Sequence, residues 1–130
     1  MTFVDTNYLL RFLLEDTRQQ HKIAKKLFLD AASGTVKVFT SAVVIFEIYW
    51  VLTSFYEKNR REIAHLLKQI FSLGFLEIEN KDFIVKAINL YEATSFDLED
   101  AFNLIFAKSK KAENFATFDE KLAKKFTQIS

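Results

Sequence analysis

The feature that most constrains the fold is an alternation of short apolar stretches with longer segments whose apolar residues recur at helical spacing. Apolar stretches predict five strands: Thr2–Val4, Val36–Phe39, Phe75–Ile78, Phe115–Phe118 and Thr127–Ile129. Helical spacing predicts helices over residues 7–14, 17–32, 42–56, 60–73, 82–93, 98–112 and 120–126, the second and fourth capped by Asp16 and Asn59. Strands that alternate with helices favour right-handed crossovers and a parallel sheet covered on both faces, which is an α/β fold.

Composition limits the chemistry that such a fold could perform. The chain has 130 residues, the size of one domain, and it contains no cysteine and only two histidines. This excludes a disulfide framework, a thiolate zinc site and a cysteine nucleophile. Side-chain catalysis would therefore rely mainly on the 17 acidic residues. The net charge of +1 does not by itself indicate a nucleic-acid partner.

One segment imitates a membrane span, because residues 38–56 carry a single charge, Glu47. The predicted strand at its start and the cost of a carboxylate at the bilayer centre argue against insertion. The N-terminus lacks the basic region and apolar run of a secretion signal. We therefore expect a cytoplasmic protein without a membrane partner.

Five acids occupy unusual positions in this pattern. Asp5 and Asp119 each follow a predicted strand, Glu47 interrupts an apolar helix predicted to be buried, and Asp97 and Asp100 open one helix. Plainer interpretations exist, since the aspartates could be helix caps and Glu47 could lie on a narrow solvent-facing strip. Taken together, acids at strand ends and on helices of one parallel sheet predict an oxygen-rich site for Mg²⁺ or Mn²⁺. Such an ion activates water and screens phosphate charge, as phosphodiester hydrolysis requires.

Four motifs follow one another along the chain, at residues 4–11, 41–47, 96–101 and 117–119. In this order they resemble the motifs of PIN domains of the short, VapC-like toxin type. Residues 4–11 resemble the opening motif, and residues 41–47 resemble the second motif, in which a Glu follows strand two on a helix. Residues 96–101 resemble the third motif, with Asp100 at its Asp-Ala position, and residues 117–119 resemble the fourth. The glycine often found before the third motif is absent, since Thr94, Ser95 and Phe96 stand there.

The resemblance implies a single three-layer α/β/α domain over residues 1–130, with a five-stranded parallel sheet in the order 3-2-1-4-5. It implies a Mg²⁺- or Mn²⁺-dependent endoribonuclease, the toxin of a type II toxin–antitoxin pair, which binds RNA and a cognate antitoxin and forms a homodimer. The implied catalytic residues are Asp5, Glu47, Asp100 and Asp119. The implied metal ligands are Asp5, Asp97, Asp100 and Asp119. Asn7 and Thr117 are implied to support these ligands without binding the metal themselves.

Four basic residues could contact RNA phosphates near these acids: Arg11, Lys108, Lys110 and Lys111. A plainer interpretation of the lysine cluster is that it forms solvated helix faces.

Three other functions are consistent with parts of the sequence. A phosphatase with an aspartate nucleophile would need a second Asp two residues after Asp5, where the chain has Asn7. A catalytically silent PIN-like binding or assembly module would be expected to have lost some of the acids, and all four are present. A housekeeping RNA-processing nuclease would share the chemistry of a toxin without its antitoxin.

Overall fold

The computed structural model describes residues 1–129. Within that range the elements are β1 (Thr2–Phe3), α1 (Thr6–Leu14), α2 (Arg18–Ala32), β2 (Val38–Thr40), α3 (Ala42–Ser54), α4 (Arg60–Phe71), β3 (Leu76–Ile78), α5 (Lys81–Ala93), α6 (Leu98–Ser109) and α7 (Glu120–Gln128). The chain divides into two compact units, the first ending at Lys81 and the second beginning at Asp82. All three strands lie in the first unit.

The strands form a parallel sheet in which β2 lies between β1 and β3. Thr2 pairs with Val38, and Val38 pairs in turn with Leu76. This arrangement confirms the predicted α/β class and the 3-2-1 part of the predicted strand order.

The described residues contain three strands, so the prediction of two further strands, Phe115–Phe118 and Thr127–Ile129, is wrong. Residues 115–118 form an irregular connection between α6 and α7, and Thr127 belongs to α7. Phe115 packs on a cluster built from Leu104, Leu122 and Phe126. Its apolar character therefore serves side-chain packing and not a strand ladder. The Thr127 hydroxyl donates to the Lys124 carbonyl oxygen at 2.7 Å, a bond within a helical turn.

Helix ends in the first unit follow the sequence signals with one exception. Asn59 and Glu62 form the reciprocal capping box that begins α4, and Gly34, just beyond α2, has a φ of 85°. Asp16 does not cap α2 as predicted. The cap position is Thr17, whose side chain makes no cap bond, because the Asp16 carboxylate is engaged by Arg11 and Tyr56.

The N-terminus of helix α3 is held by two side chains that accept hydrogen bonds from its backbone amides. The Ser41 hydroxyl accepts from the Val44 amide at 3.3 Å, and Oε1 of Glu79, just after β3, accepts from the Ala42 amide at 3.0 Å. The prediction that this helix is buried on every side is wrong, because Val43, Glu47 and Trp50 are exposed along one face. No helix among residues 1–129 is long and apolar enough to cross a membrane.

The second unit is helical and has its own apolar contacts. Leu104 of α6 packs with Leu122 and Phe126 of α7, and Phe96, just before α6, joins the same cluster. This cluster fixes the start of α7 relative to α6. The two helix N-termini that carry Asp97, Asp100 and Asp119 are positioned by this packing.

Candidate functional site

Asp5 stands at the junction between β1 and α1 in the first unit. Its Oδ1 accepts from the Thr6 amide at 2.8 Å, so the capping interpretation is confirmed. The preceding residue, Val4, is buried, and its carbonyl oxygen accepts from the Thr40 hydroxyl at 2.7 Å. The backbone before Asp5 is therefore held to β2, while the Asp5 side chain is exposed.

Thr6 is a residue that sequence reasoning missed. It is 3% exposed, and its hydroxyl oxygen has no hydrogen-bond partner among the described residues. Burying a hydroxyl without a partner is costly, so such a group beside Asp5 needs a reason. A polar residue at the first position of a largely apolar helix was the available signal.

Glu47 lies on the exposed face of α3, four residues after Val43 and three before Trp50. Its side chain is exposed, which agrees with the solvent-facing interpretation of this residue. Within residues 1–129 its carboxylate is held by no hydrogen bond or ion pair. It is therefore available to a ligand, although it is not a buried charge.

Three aspartates begin the helices of the second unit. Oδ1 of Asp97 accepts from the Asp100 amide at 2.9 Å, and Oδ1 of Asp119 accepts from the Leu122 amide at 3.1 Å. The capping interpretation is thus confirmed for Asp97 and Asp119. The Thr117 hydroxyl accepts from the Asp119 amide at 3.1 Å, so Thr117 fixes the backbone that carries this aspartate.

The acids of the second unit share one electrostatic environment. Burial raises the pKa of the Asp100 carboxyl, and the carboxylates of Asp97 and Asp119 raise it further. Burial also raises the pKa of Glu99, with added repulsion from Asp97 and Asp100. Sequence reasoning missed Glu99, although its place between two candidate ligands was a signal. Such a concentration of negative charge is unfavourable until a cation reduces it.

The donor chemistry of these acids fits a hard divalent cation, because Mg²⁺ and Mn²⁺ prefer carboxylate oxygens. The spacing is not that of a closed metal site. In the part of the chain that the structure describes, no group of three His, Asp or Glu side chains is arranged to hold a metal ion.

Two of the four basic residues predicted to contact RNA phosphates, Arg11 and Lys108, already make side-chain contacts within the protein. Arg11 donates from Nε to Gln20 Oε1 at 2.9 Å, and from Nη1 to Asp16 Oδ1 at 3.0 Å and to the Tyr56 hydroxyl at 3.1 Å. Nζ of Lys108 lies 4.1 Å from the centre of the Phe126 ring.

The other two predicted lysines lie at the end of α6. Lys110 is its C-cap and lies 5.6 Å from the Phe106 ring centre, and Lys111 follows with a φ of 59°. Contact of these lysines with phosphate stays a prediction.

Asn7 and Arg11 line a pocket of about 250 Å³ between α1 and α2, together with Tyr8, Gln20 and Ile23. Asn7 is the second residue of α1 and is exposed. The pocket therefore opens within one helical turn of Asp5.

A family model of the PIN domain matches residues 2–126, which is nearly the whole chain. The chain belongs to the PIN domain family. This PIN domain is also 26% identical over 124 residues to a VapC ribonuclease of Aquifex aeolicus (strain VF5), an alignment that covers 95% of this chain and 91% of the relative. No solved structure matches the chain significantly. The match to the family model spans both compact units and includes every acid discussed above.

Proposed function

We propose that this PIN domain is an endoribonuclease that depends on Mg²⁺ or Mn²⁺ and hydrolyses phosphodiester bonds of RNA. The observation that carries the proposal is the placement of Asp97, Asp100 and Asp119 at the N-termini of α6 and α7, where partial burial and then the neighbouring carboxylates raise the pKa of Asp100. The cap bonds of Asp97 and Asp119 stabilise the helix starts, but the mutual repulsion of the carboxylates is unfavourable until a cation reduces it. Similarity to a VapC ribonuclease supports RNA as the substrate.

Metal ligation is assigned first to Asp97, Asp100 and Asp119. A divalent ion held by these carboxylates would supply charge neutralisation at the phosphate and would acidify water. Asp5 is assigned as a further ligand and Glu47 as the group that orients the attacking water, on the resemblance of the motifs that contain them. The exposed carboxylates of Asp5 and Glu47 are accessible to such partners.

Supporting roles follow from the hydrogen bonds of this chain. Thr117 holds the Asp119 backbone, and the cap bond of Asp97 fixes one of its oxygens on the Asp100 amide. Each aspartate thus keeps a defined orientation before any ligand binds, which reduces the ordering needed on binding. Asn7 is assigned a similar supporting role in the first turn of α1.

On the resemblance of its motifs to those of VapC-like toxins, we also propose that the protein is the toxin of a type II toxin–antitoxin pair and binds a cognate antitoxin. A homodimer is also proposed, because exposed apolar side chains such as Val43, Trp50 and Phe55 are suited to a protein–protein contact. We further propose that residues 1–130 act as one PIN domain, since the family match runs through both units.

The test compares Asp100→Asn with Asp82→Asn, which makes the same change in the first turn of α5. With Mn²⁺ and a single-stranded RNA, the unmodified protein is expected to leave 5′-phosphate and 3′-hydroxyl ends. Asp100→Asn and Asp5→Asn should each lower kcat/KM by at least about a hundredfold, and Asp82→Asn should leave it unchanged. Undiminished cleavage by Asp100→Asn or Asp5→Asn would contradict the site, and the absence of cleavage by the unmodified protein would contradict the function.

A further inference from the structure

The pocket between α1 and α2 has the size of a small ligand site. Its volume of about 250 Å³ lies just below the usual range for sites that hold drug-sized molecules, so a single planar group would fit it. Tyr8 and Ile23 also form part of an adjoining pocket of about 330 Å³ that extends toward Phe3. The Tyr8 side chain therefore stands between two neighbouring concave surfaces.

Two side chains of this pocket expose apolar surface to solvent. Tyr8 is 41% exposed and Ile23 is 52% exposed. Exposed aromatic faces are the usual platforms on which unpaired RNA bases stack, at about 1–3 kcal/mol per base. Tyr8 lies three residues after Asp5, or about 4.5 Å along the helix axis. A base bound here would follow or precede a phosphate near Asp5.

The polar side of the pocket is set by hydrogen bonds within the protein. Arg11 donates to Gln20 Oε1 at 2.9 Å, which fixes the oxygen end of that amide and leaves Nε2 as a donor on the other side. Asn7 adds an amide with both donors and an acceptor. Amides of this kind hydrogen-bond with the edges of bases.

The charge of the pocket favours a base over a phosphate. The Arg11 guanidinium is paired with the Asp16 carboxylate at 3.0 Å, and the Tyr56 hydroxyl donates to the same carboxylate at 2.7 Å. The cation is therefore compensated before any ligand arrives. A neutral, planar ligand with hydrogen-bonding edges matches this lining better than a free anion does.

We propose that this pocket binds one unpaired base of the RNA substrate, stacked on Tyr8 and hydrogen-bonded by Gln20 and Asn7, and so contributes to the sequence preference of cleavage. The inference rests on the proposed ribonuclease function and adds a specificity site to it. Asp16 and Tyr56 are positioning residues, because they act on the pocket through Arg11.

The experiment measures kcat and KM for four single-stranded RNAs of about ten nucleotides that differ in the base next to the cleaved bond. Tyr8→Leu should raise KM about tenfold for the preferred substrate and leave kcat within about twofold, because Tyr8 does not contact the reacting atoms. Gln20→Ala should reduce the discrimination among the four bases. The matched control is Gln19→Ala, the same change one position earlier on α2 and outside the pocket lining.

The outcomes separate this inference from the function on which it rests. If the unmodified protein cleaves RNA and both pocket variants behave like Gln19→Ala, the base-binding assignment is overturned and the ribonuclease function stands. That result would leave the pocket to another ligand, such as a peptide side chain. If the unmodified protein cleaves none of the four RNAs, both proposals are overturned. Because Tyr8 and Gln20 are exposed, thermal unfolding of the variants should match that of the unmodified protein.

Discussion

At the scale of single residues, three of the proposed site acids have a structural task as well as a chemical one. Asp5, Asp97 and Asp119 all accept a backbone amide at a helix N-terminus. Sequence reasoning found both possibilities for each residue, since cap position and strand end are local properties. It missed Thr6, because whether a buried hydroxyl has a partner depends on contacts that local sequence does not specify.

Thr6 leads to a prediction about stability. Thr6→Val removes a buried hydroxyl that has no partner among the described residues, so the free energy of unfolding should rise by about 1 kcal/mol. The matched control is Thr40→Val, because Thr40 is equally buried and its hydroxyl donates to Val4. Thr40→Val should lower the free energy of unfolding by a similar amount. Urea denaturation measures both, and a loss of stability in Thr6→Val would show that its hydroxyl is bonded.

Asp16 leads to a prediction about pH. The Tyr56 hydroxyl, followed by Arg11, holds the pKa of the Asp16 carboxyl below its ordinary value of 3.8. The ionised form is therefore favoured by folding, and its contribution is present above that ordinary value and lost as the pH falls through the lowered pKa. The stability difference between the unmodified protein and Asp16→Asn should be constant from about pH 7 to pH 5 and shrink below about pH 4.

Urea midpoints across this pH range measure the effect. Tyr56→Phe is the companion variant, because it removes the largest cause of the lowered pKa and keeps the ring. In this variant the acid-dependent loss should be smaller in total and complete at a higher pH than in the unmodified protein, because its Asp16 pKa lies closer to the ordinary value. A difference between the unmodified protein and Asp16→Asn that persists undiminished at about pH 3 would contradict the assignment.

At the scale of elements, the helices were more predictable than the short strands, of which three of the five predicted ones form among residues 1–129. The seven helices among residues 1–129 follow apolar spacing and caps such as the Asn59–Glu62 box, which are encoded within one segment. A strand of two or three residues has no periodicity of its own and needs a neighbouring strand. The apolar residues 115–118 resemble a strand in sequence, but Phe115 packs into a helix-bound cluster instead.

Helix α3 gives a prediction at this scale, since its N-terminus is capped from outside the helix. Glu79→Ala removes the acceptor of the Ala42 amide and should lower the free energy of unfolding by roughly 0.5–1 kcal/mol. Glu77→Ala makes the same change two residues earlier, at an exposed position of β3. It should have a smaller effect in the same denaturation assay, and equal effects would argue against the cap.

At the scale of the whole molecule, a net charge of +1 conceals an uneven distribution. The acids around Asp100 repel one another, and the lysines near the end of α6 lie close to aromatic rings. Sequence alone predicted the family, which the family match confirms, and a set of candidate site acids, whose roles stay a prediction. It did not predict that Asp100 and Glu99 are half-buried, since burial depends on packing of the complete unit.

Metal binding gives a prediction for the molecule as a whole. A ligand that binds only the folded state raises its stability, by about 2.7 kcal/mol at a hundred times its Kd. Millimolar Mn²⁺ should therefore raise Tm by several degrees, and EDTA should reverse the rise. Asp100→Asn should remove this response and, without metal, should melt at or above the Tm of the unmodified protein, because it loses a repelled charge. An identical Mn²⁺ response in the variant would contradict ligation by Asp100.

The exposed face of α3 gives the protein a built-in optical reporter. Trp50 is the single tryptophan of the chain and is 62% exposed, next to Val43 and Glu47 on that face. Its emission already comes from a largely aqueous environment, so unfolding should shift the emission maximum only slightly. Contact with another protein surface would place the indole in an apolar environment and shift its emission to shorter wavelength. Intrinsic fluorescence would therefore monitor association at this face without a label.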